Sequence, residues 1–124
     1  MKKKDAPLTT RVRPGFKLWL SLSGEGIFGL GKWQLLDAIQ ETGSLQAAAD
    51  MLGISYRKAW GDLREAEKIL GIRFLEHYRG GAEGGRSLLT DEGRRWWREY
   101  GRFQGEVEKS ITRAFEKWQK RMGT

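Results

Sequence analysis

Apolar and polar residues alternate from Phe16 to Leu22, placing Phe16, Leu18, Leu20 and Leu22 on one side of an extended segment. That period of two marks a half-buried strand. Ser23-Gly24-Glu25-Gly26 then turns the chain, and Ile27-Phe28 either pairs back or packs beneath the next element. From Leu30 the period lengthens: Trp33, Leu36 and Ile39, with Leu35 beside them, form a helical stripe to Thr42, a buttress for the next two helices. Ala59, Leu63, Ala66 and Leu70, at steps of 4, 3 and 4, define the buried face of a helix that opens near Ser55 and ends at Gly71. Two short apolar-rich runs, Arg73–Arg79 and Ser87–Leu89, flank a loop with glycine at 80, 81, 84 and 85, the pattern of a β-hairpin. Thr90 caps a last, longest helix with Asp91 and Glu92 at its positive end. It runs to about Arg121, where Lys117, Lys120 and Arg121 suit the negative end, and Gly123 stops it.

The stretch from Gly43 to Trp60 organises the rest. Gly43 ends one helix, because glycine takes the left-handed conformation at no steric cost, and Ser44 caps the next. Ala48 and Ala49 are small enough for a close helix crossing, Leu52 and Ile54 flank the turn at Gly53, and Ser55 caps the following helix. This is the arrangement of a helix-turn-helix; an ordinary αα-hairpin is the plainer alternative. Tyr56, Arg57, Lys58, Trp60 and Arg64 lie wholly or partly off the buried face. A solvated helix usually avoids aromatics there, so the i, i+4 pair Tyr56 and Trp60 points to binding; folding inward over the first helix is the alternative for either, with Trp60 left open between core and interface. A hairpin after a helix-turn-helix is a wing, here bracketed by Arg79 and Arg86; a merely flexible loop is the alternative.

For a DNA duplex the expected roles divide. Arg57 reads bases, since a guanidinium grips the O6 and N7 of guanine together. Tyr56 and Lys58 read bases or hold phosphates, Ser55 and Arg64 hold phosphates, and Ser44 belongs to the same surface. Arg79 and Arg86 grip the backbone or the minor groove from the wing.

On the last helix Trp97, Tyr100, Val107, Ile111, Ala114 and Trp118 follow alternating steps of 3 and 4, with Gln104 in the one missing slot and Trp96, Phe103 and Phe115 alongside. A helix of roughly thirty residues is about 45 Å long, more than the upstream domain covers. A second copy of the chain is the simplest cover, so Trp97, Tyr100, Phe103, Val107, Ile111, Ala114 and Trp118 form the expected homodimer interface; a fold-back lid is the alternative. The expected fold is therefore mainly α with a small β component: a basic arm (1–13), a winged helix-turn-helix (14–89) and a long dimerisation helix (90–122).

Composition adds direction. The net charge is +7 over 124 residues, which favours a polyanionic partner; the arm, with Lys2, Lys3, Lys4, Arg11 and Arg13 against Asp5, either touches phosphates or only solubilises. There is no cysteine, which removes disulfides, thiolate metal sites and cysteine nucleophiles. No run nears the ~20 apolar residues of a membrane span, and Met1-Lys2-Lys3-Lys4 lacks the apolar run of a signal peptide, so a soluble, cytoplasmic protein is expected. His77, the only histidine, has no metal-ligand partner at suitable spacing and reads as a surface or strand-packing residue. The carboxylates are scattered among basic residues, and Gly-x-Ser-x-Gly, phosphate-loop and HExxH motifs are absent. No catalytic residue, metal or cofactor is expected.

Gly43-Ser44-Leu45-x-Ala47-Ala48-Ala49, Ser55-Tyr56-Arg57-Lys58-Ala59-Trp60, the Gly80-Gly81…Gly84-Gly85 loop and Leu89-Thr90-x-x-Gly93 together resemble the DNA-binding domain of ModE-type molybdate-responsive regulators, within the broader LysR-like winged-helix group. Phe16-Lys17-Leu18-Trp19-Leu20 looks like that family's opening strand, so the resemblance covers roughly residues 16–121. It implies a dimeric transcription factor for molybdenum-transport and molybdoenzyme genes. ModE regulators usually continue into β-barrel domains that bind molybdate or tungstate. With Thr124 as the last residue, those domains are expected to be missing, and a separate oxyanion-sensing partner stays open. A non-specific architectural DNA protein and a winged-helix protein-interaction module are the rival functions.

Overall fold

A computed structural model describes residues 11–78 and 85–123. The elements are β1 (Trp19–Leu22), β2 (Glu25–Gly29), α1 (Leu30–Thr42), α2 (Leu45–Leu52), α3 (Tyr56–Leu70), β3 (Leu75–Tyr78), β4 (Arg86–Leu89) and α4 (Asp91–Arg121). The fold is mainly helical with two small antiparallel hairpins, β1–β2 and β3–β4. Compactness divides the chain inside α4: residues 18–101 form one unit, to which residues 102–123 of α4 and its end do not belong.

The first hairpin contains a bulge. Leu20 faces Phe28 and Ser21 faces Gly26, so Ile27 is an extra residue on β2. The bulge lets the neighbours Ile27 and Phe28 both point inward, which strict alternation forbids. It also ends the expected apolar face. Leu18 and Leu20 pack on the core, whereas Leu22 is exposed and Phe16, also exposed, lies ahead of the strand.

The core of residues 18–101 follows the helical periods. Leu35, Leu36, Ala38 and Ile39 of α1 meet Leu45, Ala48 and Ala49 of α2 and Ala59, Leu63 and Ala66 of α3. Phe74, Leu75 and Leu89 join them from the second hairpin, where Leu75 and Leu89 are cross-strand partners. Phe28 sits among the rings of Phe74, Trp96 and Tyr100 at centroid distances of 5.8, 5.0 and 5.2 Å.

The opening turns of α4 complete this core, and here the expectation from sequence needs correction. Tyr100, expected at a seam between copies, is buried within its own chain, and its hydroxyl donates to the Leu18 carbonyl at 2.9 Å. Burial raises its pKa above the usual tyrosine value, which keeps it a neutral donor. Trp97 packs against the same core, and its indole N–H donates to Asp37 Oδ1 at 2.9 Å. The Trp33 indole in turn donates to the Trp97 carbonyl at 2.8 Å. The 3/4 period continues along α4 on both sides of the polar slot at Gln104, so spacing alone cannot tell where intramolecular cover ends.

Thr90 and Gly93 form the junction between the wing root and α4. The Thr90 hydroxyl oxygen accepts the Gly93 N–H at 2.9 Å, and the Thr90 N–H donates to the Phe74 carbonyl at 2.9 Å. A Cβ at position 93 would lie 2.2 Å from the Phe74 oxygen, a backbone atom with nowhere to retreat. Gly93→Ala is expected to destabilise by about 2–3 kcal/mol, as overpacking does. Gly61→Ala in α3, with open space at its Cβ, should instead gain up to ~1 kcal/mol from helix propensity. Urea unfolding of the pair checks the opposite signs.

Candidate nucleic-acid interface

Caps set the two helices of the central motif. Gly43 closes α1 at φ 76°, with its N–H on the Ile39 carbonyl at 2.7 Å. Ser44 Oγ accepts the Ala47 N–H at 3.1 Å and starts α2. Gly53 turns the chain at φ 71°, and Ser55 Oγ accepts the Lys58 N–H at 3.0 Å to start α3. The Ser87 N–H donates to the Gly43 carbonyl at 2.9 Å, tying the wing to the turn between α1 and α2.

With Ala59, Leu63 and Ala66 buried, α3 turns a polar and aromatic face outward. Tyr56 and Trp60 are 44% and 43% exposed, so Trp60 belongs to the surface. The Arg64 guanidinium lies 5.3 Å from the centre of the Trp60 ring, a cation–π distance. Lys58 Nζ pairs with Asp62 Oδ2 at 3.1 Å, a solvated pair of small energetic weight. Arg57 is exposed and, among the described residues, has no ion-pair or hydrogen-bond partner. Its five donors stay available to an anion or a base edge.

A cleft of about 320 Å³ separates α2 and α3 from the wing, lined in part by Ser44, Gln46, Tyr56, Trp60, His77 and Arg86. Four of the residues singled out from the sequence, Ser44, Tyr56, Trp60 and Arg86, thus share one depression. Ser55, Arg57, Lys58 and Arg64 do not line it, and Ser55 is spent as a cap. Arg79 and the glycines at 80, 81 and 84 lie outside the described residues.

Two residues of this region, Gln46 and Glu67, escaped the reading of the sequence. Gln46 donates through Nε2 to Asp50 Oδ1 at 3.0 Å in the first turn of α2. His77, expected as a surface or strand-packing residue, is exposed and places Nδ1 3.1 Å from Ser87 Oγ, its cross-strand partner. Glu67 is buried at 7% exposure. Its Oε2 accepts the Phe74 N–H at 2.6 Å, and its Oε1 meets Arg64 at 3.4 Å. Its place four residues after Leu63 marks it as inward-facing. Among the described residues no cluster of three His, Cys, Asp or Glu is placed to hold a metal, and no helix is long and apolar enough to cross a membrane.

Comparison with known proteins bears on this surface. The family model described as "Bacterial regulatory helix-turn-helix protein, lysR family" matches residues 30–94, from α1 into the first turn of α4. The molybdenum-pterin-binding protein MopB of Rhodobacter capsulatus is 35% identical over 89 residues, covering 72% of this chain and 33% of that protein. The molybdenum transport protein ModE of Azotobacter vinelandii is 31% identical over 84 residues, covering 68% and 31%. The chain thus spans about a third of the length of these curated relatives. Among solved structures, the BenM DNA-binding domain with benA site 1 DNA superposes at a TM-score of 0.56, with 24% identity over 78% of this chain and 98% of that one. CbnR, described as a LysR family transcriptional regulator, gives a TM-score of 0.53 with 25% identity over 68% and 27%. The family match takes in more than half of the chain and every element of the helix-turn-helix and wing; the chain belongs to the lysR family of bacterial regulatory helix-turn-helix proteins, with a DNA-binding motif of the ModE type.

Proposed function

We propose that the chain is a sequence-specific transcription regulator that binds a near-palindromic operator in double-stranded DNA as a homodimer, at genes connected with molybdenum or tungsten. The observation that carries DNA reading is the outward face of α3, which presents Tyr56, Arg57 and Trp60 at its N-terminal end beside Arg86 of the wing. An α-helix of this kind fits the major groove, where its first residues meet base edges. The net charge of +7 supplies the sequence-independent attraction. The molybdenum connection is supported by the names of the relatives MopB and ModE.

In this reading Arg57 specifies and Arg86 holds. Arg57→Ala is expected to remove about 1–3 kcal/mol of discrimination at one base position while leaving affinity for random DNA nearly intact. Arg86→Ala should weaken all sequences alike and flatten the salt dependence by about one counterion. Fluorescence anisotropy on the gene's own upstream DNA and on random DNA, across a salt series, measures both. Equal losses of specificity in the two variants would contradict the assignment. If the unmodified protein shows no preference, the reading falls to an architectural role, and if it shows no salt-sensitive binding, to a protein-interaction role.

A further inference from the structure

Glu67 carries a charge that its structural task does not need. It lies buried at the rear of α3, and Oε2 pins the backbone of the wing root through the Phe74 N–H at 2.6 Å. A neutral amide oxygen would accept that N–H as well, whereas burying a carboxylate carries a desolvation cost. The pin is rigid on its far side too. The Phe74 carbonyl accepts the Thr90 N–H at 2.9 Å, and Gly93 is packed directly beneath it. The second oxygen, Oε1, is thereby fixed in place, and it faces Arg64 at 3.4 Å. Arg64 is itself about half exposed and lies over Trp60 on the face proposed to meet DNA.

We propose that Glu67 is a positioning residue that restrains Arg64: a fixed anion holds the guanidinium against Trp60 until DNA presents a phosphate at a site the tethered side chain can reach. This rests on the DNA-binding reading above. A phosphate that approaches loosely must draw Arg64 off a carboxylate that would be left buried with one donor fewer. A phosphate correctly placed by base-specific docking shares the guanidinium, whose five donors serve two anions at once. The restraint therefore works against non-specific complexes and sharpens discrimination.

The test is the salt dependence of binding, which counts phosphates neutralised at about 0.9 per contact on duplex DNA. Arg64→Ala should flatten the slope by about 0.9 on preferred DNA and leave the slope on random DNA unchanged. Glu67→Gln retains the acceptor for the Phe74 N–H and should keep the thermal midpoint. It should steepen the slope on random DNA by about 0.9 and raise that affinity roughly 3- to 10-fold, the size of one added phosphate contact. In the double variant the gain should vanish. An equal slope change on both DNAs for Arg64→Ala overturns the restraint, and that variant serves if Glu67→Gln fails to fold. A Glu67→Gln slope that does not move, or that steepens equally without Arg64, overturns it as well. Absence of DNA binding by the unmodified protein would instead strike the functional reading.

Discussion

Phe28→Ala lowers the unfolding free energy by about 3–5 kcal/mol, the range for deleting a fully buried phenyl ring. Phe28 is 2% exposed, and its ring touches three others, from the wing root and from α4. The backbone bulge at Ile27 fixes its inward orientation, so the hairpin cannot swing another apolar side chain into the space. Small domains are stable by about 5–15 kcal/mol in total, and the variant is left with little. Urea unfolding followed by tryptophan fluorescence should show a lower midpoint with unchanged slope. Phe16→Ala, at an exposed position ahead of β1, should stay within about 0.5 kcal/mol. A loss below about 1 kcal/mol for Phe28→Ala would mean that the four rings do not form the centre of the fold.

What was legible in the sequence divides along physical lines. The helices declared themselves because 3.6-residue periodicity is a property of one segment, readable without its neighbours: Ala59, Leu63 and Ala66 fix the inner face of α3, and Tyr56, Arg57, Lys58, Trp60 and Arg64 emerge by subtraction. Caps were legible for the same reason, since Ser44, Ser55 and Thr90 act within three residues. The bulge at Ile27 was not, because it exists only in the pairing of two strands. Nor was the point along α4 where intramolecular cover ends: Tyr100 lies on the apolar stripe and Phe103 beside it, yet the first is buried within the chain and the second is 40% exposed. Glu67 escaped because its residue type argues for solvent while its position argues for the core. Gly93 could be recognised as part of a motif, but its reason, the Phe74 carbonyl against it, lies in a contact nineteen residues away in sequence. Charge class and spacing thus outline the proposed interface, while tertiary contacts decide which of its members are free.

Ile111→Glu is expected to convert the proposed homodimer to monomers and to lower affinity for a two-half-site operator by about 10²–10⁴, because the second half-site is then bound without the benefit of linkage. Tyr100 and Trp97 are engaged within residues 18–101, so the stripe left for a second copy begins at Phe103 and continues through Val107, Ile111, Ala114 and Trp118. Phe115 and Trp118 stack at 5.5 Å and 17°, presenting a broad aromatic surface on the same helix. A carboxylate at 111 would be unpaired in such a seam, which penalises association strongly, yet glutamate is a good helix former and Ile111 is not part of the buried core cluster. The thermal transition of the helix-turn-helix unit and its affinity for a single half-site should therefore stay as they were. Sedimentation equilibrium reads the mass, and anisotropy on DNA with one or two half-sites about 34 Å apart reads the linkage. An unchanged mass with full operator affinity would place the interface elsewhere. Loss of single half-site binding would show that α4 beyond Gly101 supports the DNA-reading unit itself and does more than join two copies.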